Sequence, residues 1–189
     1  MKRIAIFASG EGSNTQRLID YFAGADVIIS IIVCNNQKAN VLKRAEKRLI
    51  PSLLINKEWS YNGELVLKKL VDEKIDLIVC AGFLWKIPAP ILHAFPNKIV
   101  NIHPALLPKF GGKGMYGLNV HKAVIEAKEK ESGVTIHYLN EYYDEGKIIL
   151  QKKCEVRKDD TPETLAQKVR ILEHEWYPKT IEQLLKAHF

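Results

Sequence analysis

The stretch "RIAIFASGEGSNTQRLIDYFAG", residues 3–24, decides how the chain is built. Residues 3–9 form an almost unbroken apolar run, the signature of a strand covered on both faces. Residues 14–24 place Leu18, Ile19 and Phe22 at helical spacing, so a helix follows with that stripe turned inward. Between them lies a glycine-rich turn, and a strand feeding a helix in this way begins a parallel crossover unit. The turn also predicts a ligand. The first N–H groups of a helix lack intrahelical acceptors, and with the helix dipole they attract an anion. Gly10 and Gly12 let the backbone approach closely, while Ser13 and Asn14 add side-chain donors. The spacing is neither a dinucleotide G-x-G-x-x-G nor a P-loop ending in Lys-Ser/Thr. A structural reading of the same residues is a capping box, with Ser13 at the N-cap and Gln16 reaching back.

The rest of the chain repeats the alternation. Apolar strands are expected over 27–35, 52–56, 75–83 and 98–103, and helices over 38–49 and roughly 61–73, with a short proline-bounded helix before residue 98. Continuous Val/Ile/Leu strands separated by helices predict an α/β fold, a doubly wound and mostly parallel sheet with helices on both faces. The pattern changes after residue 117. A helix over about 118–128 leads into "SGVTIHYLNE" (132–141) and "KIILQKKCEV" (147–156), which read as a β-hairpin added at the sheet edge through a short turn containing "DEG". A long C-terminal helix closes the chain, with Thr161 as N-cap and Pro162 at its first position. With no repeat, low-complexity tract or linker, one domain over residues 1–189 is expected.

Bulk properties narrow the function classes. The 47% apolar and 26% charged content is that of a soluble globular protein. No apolar run approaches the ~20 residues that span a bilayer, and the apolar start is too short for a signal peptide. Cys34, Cys80 and Cys154 are odd in number and widely spaced, as suits reduced thiols in a cytoplasmic protein. The net charge of +6 raises nucleic acid as a partner. Its lysines and arginines are interleaved with acidic residues on helix faces, so no nucleic-acid partner is expected, and the weak positive field suits a phosphorylated small substrate instead. No metal is expected either, because neither H-x-x-x-H nor C-x-x-C spacing occurs.

The chemistry concentrates in "VNIHPALLPKF" (100–110). Asn101 and His103 are two apart, so in a strand they share a face, and Pro104 ends the ladder just beyond them. "AGFLWKIP" (81–88) follows another strand, at the carboxyl edge where open α/β sheets bind ligands. Asp144 lies in the "YYDEG" turn, where turn chemistry alone accounts for it. His137 reads as a packed or supporting histidine, and Arg170, Glu173 and His174 as neighbours on one helix face, where ordinary surface charge is the simpler account.

The motifs "SGEGSN", "AGF", "NIHPALLPKF", "TIHYLNEYYDEGKIILQ" and "EHEWYP", taken in this order, resemble the phosphoribosylglycinamide formyltransferase family, the folate-dependent formyltransferases of purine synthesis. The likeness runs from residue 4 to about residue 178. It implies transfer of a formyl group from 10-formyltetrahydrofolate, the cosubstrate, to the amine of phosphoribosylglycinamide, by a monomer or weak homodimer. It implies Asn101, His103 and Asp144 as the catalytic trio, and Gly12, Ser13 and Asn14 as the phosphate loop. Glu173 matches the residue that meets the amine end of the substrate, and Arg170 is added beside it, for the phosphate, from its charge and helical proximity. Leu84, Trp85, Lys86 and Ile87, with Asn140, Glu141, Tyr142, Tyr143 and Asp144, match the segments that grip the pterin, Asn101 facing the same ligand.

In chemical terms the resemblance makes the Asn-x-His pair an oxyanion site. An amide and an imidazole on one face of a strand can stabilise charge on the formyl oxygen, and a carboxylate beside the ring favours its cationic form. Two departures stand out. Trp85 occupies a position that is basic or aliphatic in many relatives, and "KFGGKGMYGLNVH" (109–121) is a few residues longer than in many, its four glycines suggesting a mobile loop over the site. The family's arginine contact to the folate has no counterpart near Trp59 or Tyr61. Related hydrolases of 10-formyltetrahydrofolate and formyltransferases acting on methionyl-tRNA share the trio but carry an additional domain, so they are not expected from a chain of this extent. A non-catalytic nucleotide-binding module leaves the trio without a purpose.

Overall fold

The computed structural model describes residues 1–56, 63–142 and 144–188. The expected alternation is present: β1 (Lys2–Ala8), α1 (Ser13–Tyr21), β2 (Val27–Cys34), α2 (Asn40–Lys47), β3 (Ser52–Leu54), α3 (Glu64–Asp72), β4 (Leu77–Cys80), α4 (Ala89–Ala94) and β5 (Ile99–His103). Then come α5 (Leu118–Glu126), β6 (Glu131–Tyr138), β7 (Ile148–Glu155) and α6 (Pro162–His188). The seven strands form one sheet in the order β3-β2-β1-β4-β5-β6-β7. The first five pair in parallel, while β5–β6 and β6–β7 are antiparallel.

Burial on both faces explains the unbroken apolar strands. Along β1, Ile4, Ile6 and Ala8 join one core with side chains of α1, α2, α5 and α6, while Ala5 and Phe7 join a second core with α3 and α4. The chain winds outward from β1 to β3, then crosses back to β4 on the other side of β1. The crevice at that reversal lies beyond the carboxyl ends of β1 and β4, where open α/β sheets take their ligands. Cys34 and Cys80 are buried free thiols at the ends of β2 and β4.

Three local expectations differ from the structure. The capping box is absent: Gly12, at φ 73°, is the N-cap of α1, no side chain caps it, and Gln16 donates to Asp20 Oδ1 instead. A Cβ on Gly12 would lie 2.7 Å from Val41 Cγ2, so packing as well as backbone conformation requires glycine. The hairpin connection spans residues 139–147, longer than the short turn expected, and holds Asp144 at φ 56°. At the end of β4 the regular strand stops at Cys80, short of the expected residue 83: Ala81 N–H still donates to Phe7 O and Gly82 O accepts Ser9 N–H, but Gly82 takes φ 76°.

At α6 the expected cap is present. Thr164 N–H donates to Thr161 Oγ1 at 3.3 Å, and Leu165 N–H to Thr161 O at 3.0 Å. Pro178 lies inside this helix and cannot donate to the carbonyl four residues back. That carbonyl, His174 O, accepts Arg17 Nε–H at 3.0 Å, so the missing bond is replaced by a tie to α1.

Candidate active site

A cleft of about 640 Å³ opens at the reversal point. Its walls are the Gly10–Asn14 turn, residues 80–87 after β4, the tip of β5, the glycine loop 112–118, part of the 139–144 segment and one face of α6. Among the described residues, the expected ones converge here from elements far apart in sequence, with one exception taken up below.

Asn101 and His103 share a face of β5, as their spacing required. The antiparallel register sets His137 opposite Asn101 and Thr135 opposite His103. Asn101 Nδ2 lies 3.2 Å from His137 Nε2, and His137 Nδ1 lies 3.0 Å from Tyr138 O. A carbonyl only accepts, so His137 carries its proton on Nδ1 and receives an Asn101 N–H at Nε2. Burial holds its pKa below the ordinary histidine value, only partly offset by the Tyr138 carbonyl and Asp144. His137 thereby orients the Asn101 amide and leaves its second N–H for a ligand. Sequence reasoning gave His137 a supporting role, and the structure supplies the contact.

Asp144 stands between two imidazoles. Its Oδ2 is 3.6 Å from His103 Nδ1 and its Oδ1 is 3.6 Å from His137 Nε2, with both rings buried. The glycine loop holds both members of the pair: Gly112 N–H donates to Asp144 Oδ2 at 2.9 Å, and His103 Nε2–H to Phe110 O at 2.8 Å. A second network fixes the segment after β5. Thr135 Oγ1–H donates to Ala105 O and accepts from Leu107 N–H, while Gln151 Nε2 donates to both Leu107 O and Thr135 Oγ1. Gln151 was visible in the sequence as the last residue of "TIHYLNEYYDEGKIILQ", without a task. Thr135 opens the same motif, also without a task.

At the other end of the cleft, Gln16 is the first residue of α1 to bond back to the turn, its N–H meeting Gly12 O at 2.8 Å. The N–H groups of Ser13, Asn14 and Thr15 therefore lack intrahelical acceptors. Asn14 Nδ2–H donates to Glu173 Oε2 at 2.8 Å, which joins α1 to α6. Burial raises the Glu173 pKa above the ordinary carboxylate value, with the Asn14 amide and Arg170 opposing it. Arg170 lines the same wall, and its guanidinium makes no hydrogen bond or ion pair among the described residues.

For the expected pterin segments the result is mixed. Leu84, Trp85, Lys86 and Ile87 all line the cleft, as do Asn140 and Tyr142. Leu84 N–H, however, already donates to Ser9 Oγ at 2.9 Å, and Asn140 Oδ1 accepts Tyr142 N–H. Glu141 is not part of the cleft wall. It pairs with His93 at 3.2 Å on the exposed surface. Tyr143, like Trp59 and Tyr61, lies outside the described residues. No group of three or more His, Cys, Asp or Glu among the described residues is arranged to hold a metal ion.

A family model described as Formyl transferase matches residues 2–181. The chain belongs to the formyl transferase family. This formyltransferase is 38% identical over 192 residues to the phosphoribosylglycinamide formyltransferase of Bacillus subtilis, covering 98% of the chain and 95% of that protein. It is 40% identical to the chloroplastic phosphoribosylglycinamide formyltransferase of Arabidopsis thaliana over 95% of the chain, but spans only 64% of that longer protein. Among solved structures, the phosphoribosylglycinamide formyltransferase of Bacillus halodurans superposes with a TM-score of 0.90 at 34% identity, covering all of this chain and 97% of that one. Membership makes the protein a folate-dependent formyltransferase, with 10-formyltetrahydrofolate as the family's cosubstrate. The cleft suits that molecule: Leu84, Trp85, Ile87 and Leu139 offer apolar surface beside Asn140 and Tyr142.

Proposed function

We propose that this formyltransferase transfers the formyl group of 10-formyltetrahydrofolate to the amine of phosphoribosylglycinamide, giving the N-formyl product of purine synthesis. The observation that carries the reading is a single cleft lined both by the turn that presents free helix N–H groups and by the Asn101–His103–Asp144 group. A phosphorylated amine bridges those two sets of groups. The Ser13–Thr15 N–H groups and Arg170 take its phosphate, and Glu173 with Asn14 takes the polar groups between. Leu84–Ile87, Leu139, Asn140 and Tyr142 hold the folate.

The amine nitrogen attacks the formyl carbon, a new C–N bond forms, and the bond to N10 of the folate breaks. Charge that builds on the formyl oxygen meets the second N–H of Asn101, already oriented by His137. The attacking nitrogen must lose a proton and N10 must gain one. His103 and Asp144, 3.6 Å apart, are the groups placed to carry it. His103 Nε2–H is engaged with Phe110 O, which makes Nδ1 the ring atom on the reacting side. Neither nucleic acid nor a membrane has a place in this reading. A monomer or weak homodimer working in the cytoplasm completes it.

The test is to incubate the purified protein with phosphoribosylglycinamide and 10-formyltetrahydrofolate and to follow both products by mass spectrometry. The expected result is formylated amine and tetrahydrofolate in equal amounts. Formate released at the same rate with and without the amine would replace transfer by hydrolysis.

A further inference from the structure

One buried titratable group in the cleft has no part in the mechanism above. His121 sits on α5 at 4% exposure and lines the same cleft, next to His103 and Arg170. Its Nδ1 is enclosed and has no hydrogen-bond partner among the described residues. An enclosed polar atom without a partner lowers stability, and an apolar side chain of similar size avoids that cost. Packing alone therefore gives no reason for an imidazole among Val120, Val124 and the face of α6.

Protonation follows from the surroundings. An N–H at the enclosed Nδ1 would be a stranded donor, so the ring proton belongs on Nε2, the nitrogen left to face the cleft. Burial, with His103 and Arg170 adding to it, pushes the His121 pKa down to about 4, so the ring stays neutral at physiological pH. A neutral donor between a phosphate-binding wall and the reacting groups suits an uncharged oxygen better than an anion. We propose that His121 is a substrate-binding residue whose Nε2–H donates to an uncharged acceptor oxygen in the middle of the phosphorylated amine. The assignment rests on the acceptor substrate proposed above, and it gives that substrate a contact between its phosphate and its amine.

The test compares His121→Leu and His121→Gln with the parent, measuring thermal stability and KM for both substrates. His121→Leu is expected to melt at or above the parent temperature, because an unpartnered buried polar atom is gone. Its KM for phosphoribosylglycinamide should rise about tenfold, the scale of one lost hydrogen bond, with the KM for 10-formyltetrahydrofolate unchanged. His121→Gln restores an N–H donor and should recover most of the loss. Unchanged amine KM in both variants overturns the assignment, and so does a lower melting temperature with equal rises in both constants, which marks a packing role. If the parent formylates no phosphoribosylglycinamide, the acceptor reading fails and takes this assignment with it. A parent that does so, beside variants that match it, removes only the role of His121.

Discussion

Gly111→Ala tests whether the glycine loop holds the reacting groups in place. A Cβ on Gly111 would lie 2.6 Å from Leu107 Cδ2, 3.2 Å from Asp144 Cβ and 3.7 Å from Asp144 Oδ2. Ordinary contact begins at 3.4 Å, so the leucine methyl is short by 0.8 Å and the aspartate Cβ by 0.2 Å. The backbone of Leu107 cannot retreat freely, since its N–H and carbonyl are tied to Thr135 and Gln151. The strain falls on the Leu107 methyl, on Asp144 and on the loop itself, whose Gly112 N–H and Phe110 O hold Asp144 and His103. Overpacking of this kind costs roughly 1–3 kcal/mol of stability. Displacing a reacting carboxylate by a fraction of an ångström to 1 Å lowers kcat by about 10- to 100-fold. The KM for the phosphorylated amine should stay near the parent value, because the Gly10–Asn14 turn belongs to another element. Initial rates at saturation and urea unfolding at neutral pH measure both quantities. A kcat within twofold of the parent, whatever the change in stability, would show that Leu107 absorbs the clash and that the loop does not position Asp144.

Three further outcomes are expected. As pH falls from 6.5 toward 4, the unfolded chain protonates His121 before the native chain does, so His121 makes the protein lose stability on acidification, by at most about 3 kcal/mol. Urea midpoints of parent and His121→Leu at pH 7 and pH 4.5 should differ in that slope, and equal slopes would remove the effect. Thr135→Val strands Ala105 O and Leu107 N–H in the interior, so about 2 kcal/mol of stability should be lost, read as a lower urea midpoint with an unchanged m-value. Glu173→Gln keeps the shape but removes the charge beside Asn14 and Arg170, and should raise KM for the amine substrate well above any change for the folate. Equal changes in both constants would count against its assigned place.

The residues 3–24 determined much of the architecture by themselves. A doubly buried strand, a glycine turn and an amphipathic helix are short-range patterns, written in side-chain period and backbone freedom, and no distant contact is needed to read them. The same holds for the shared face of Asn101 and His103, which follows from the period of two in a strand, and for the cap at Thr161. Gly12 limits this: the sequence offered Ser13 as the cap of α1, but the cap is Gly12, held against Val41 of α2 where a Cβ has no room. Glu141 was a matching position in the sequence, but the course of residues 139–147 turned it to the outside beside His93.

What only the tertiary structure decided is which groups meet. Asp144 reaches His103 through a long connection whose path depends on Gly111 and Gly112, and His137 reaches Asn101 because the β5–β6 register sets them opposite one another. His121 carried one faint signal, a histidine three residues before Val124 on the inward stripe of α5, yet its enclosure depends on α6 packing over it. Periodicity gives the face on which a side chain lies. Register, loop path and the helix above determine its neighbours, and those neighbours set its charge and its chemistry.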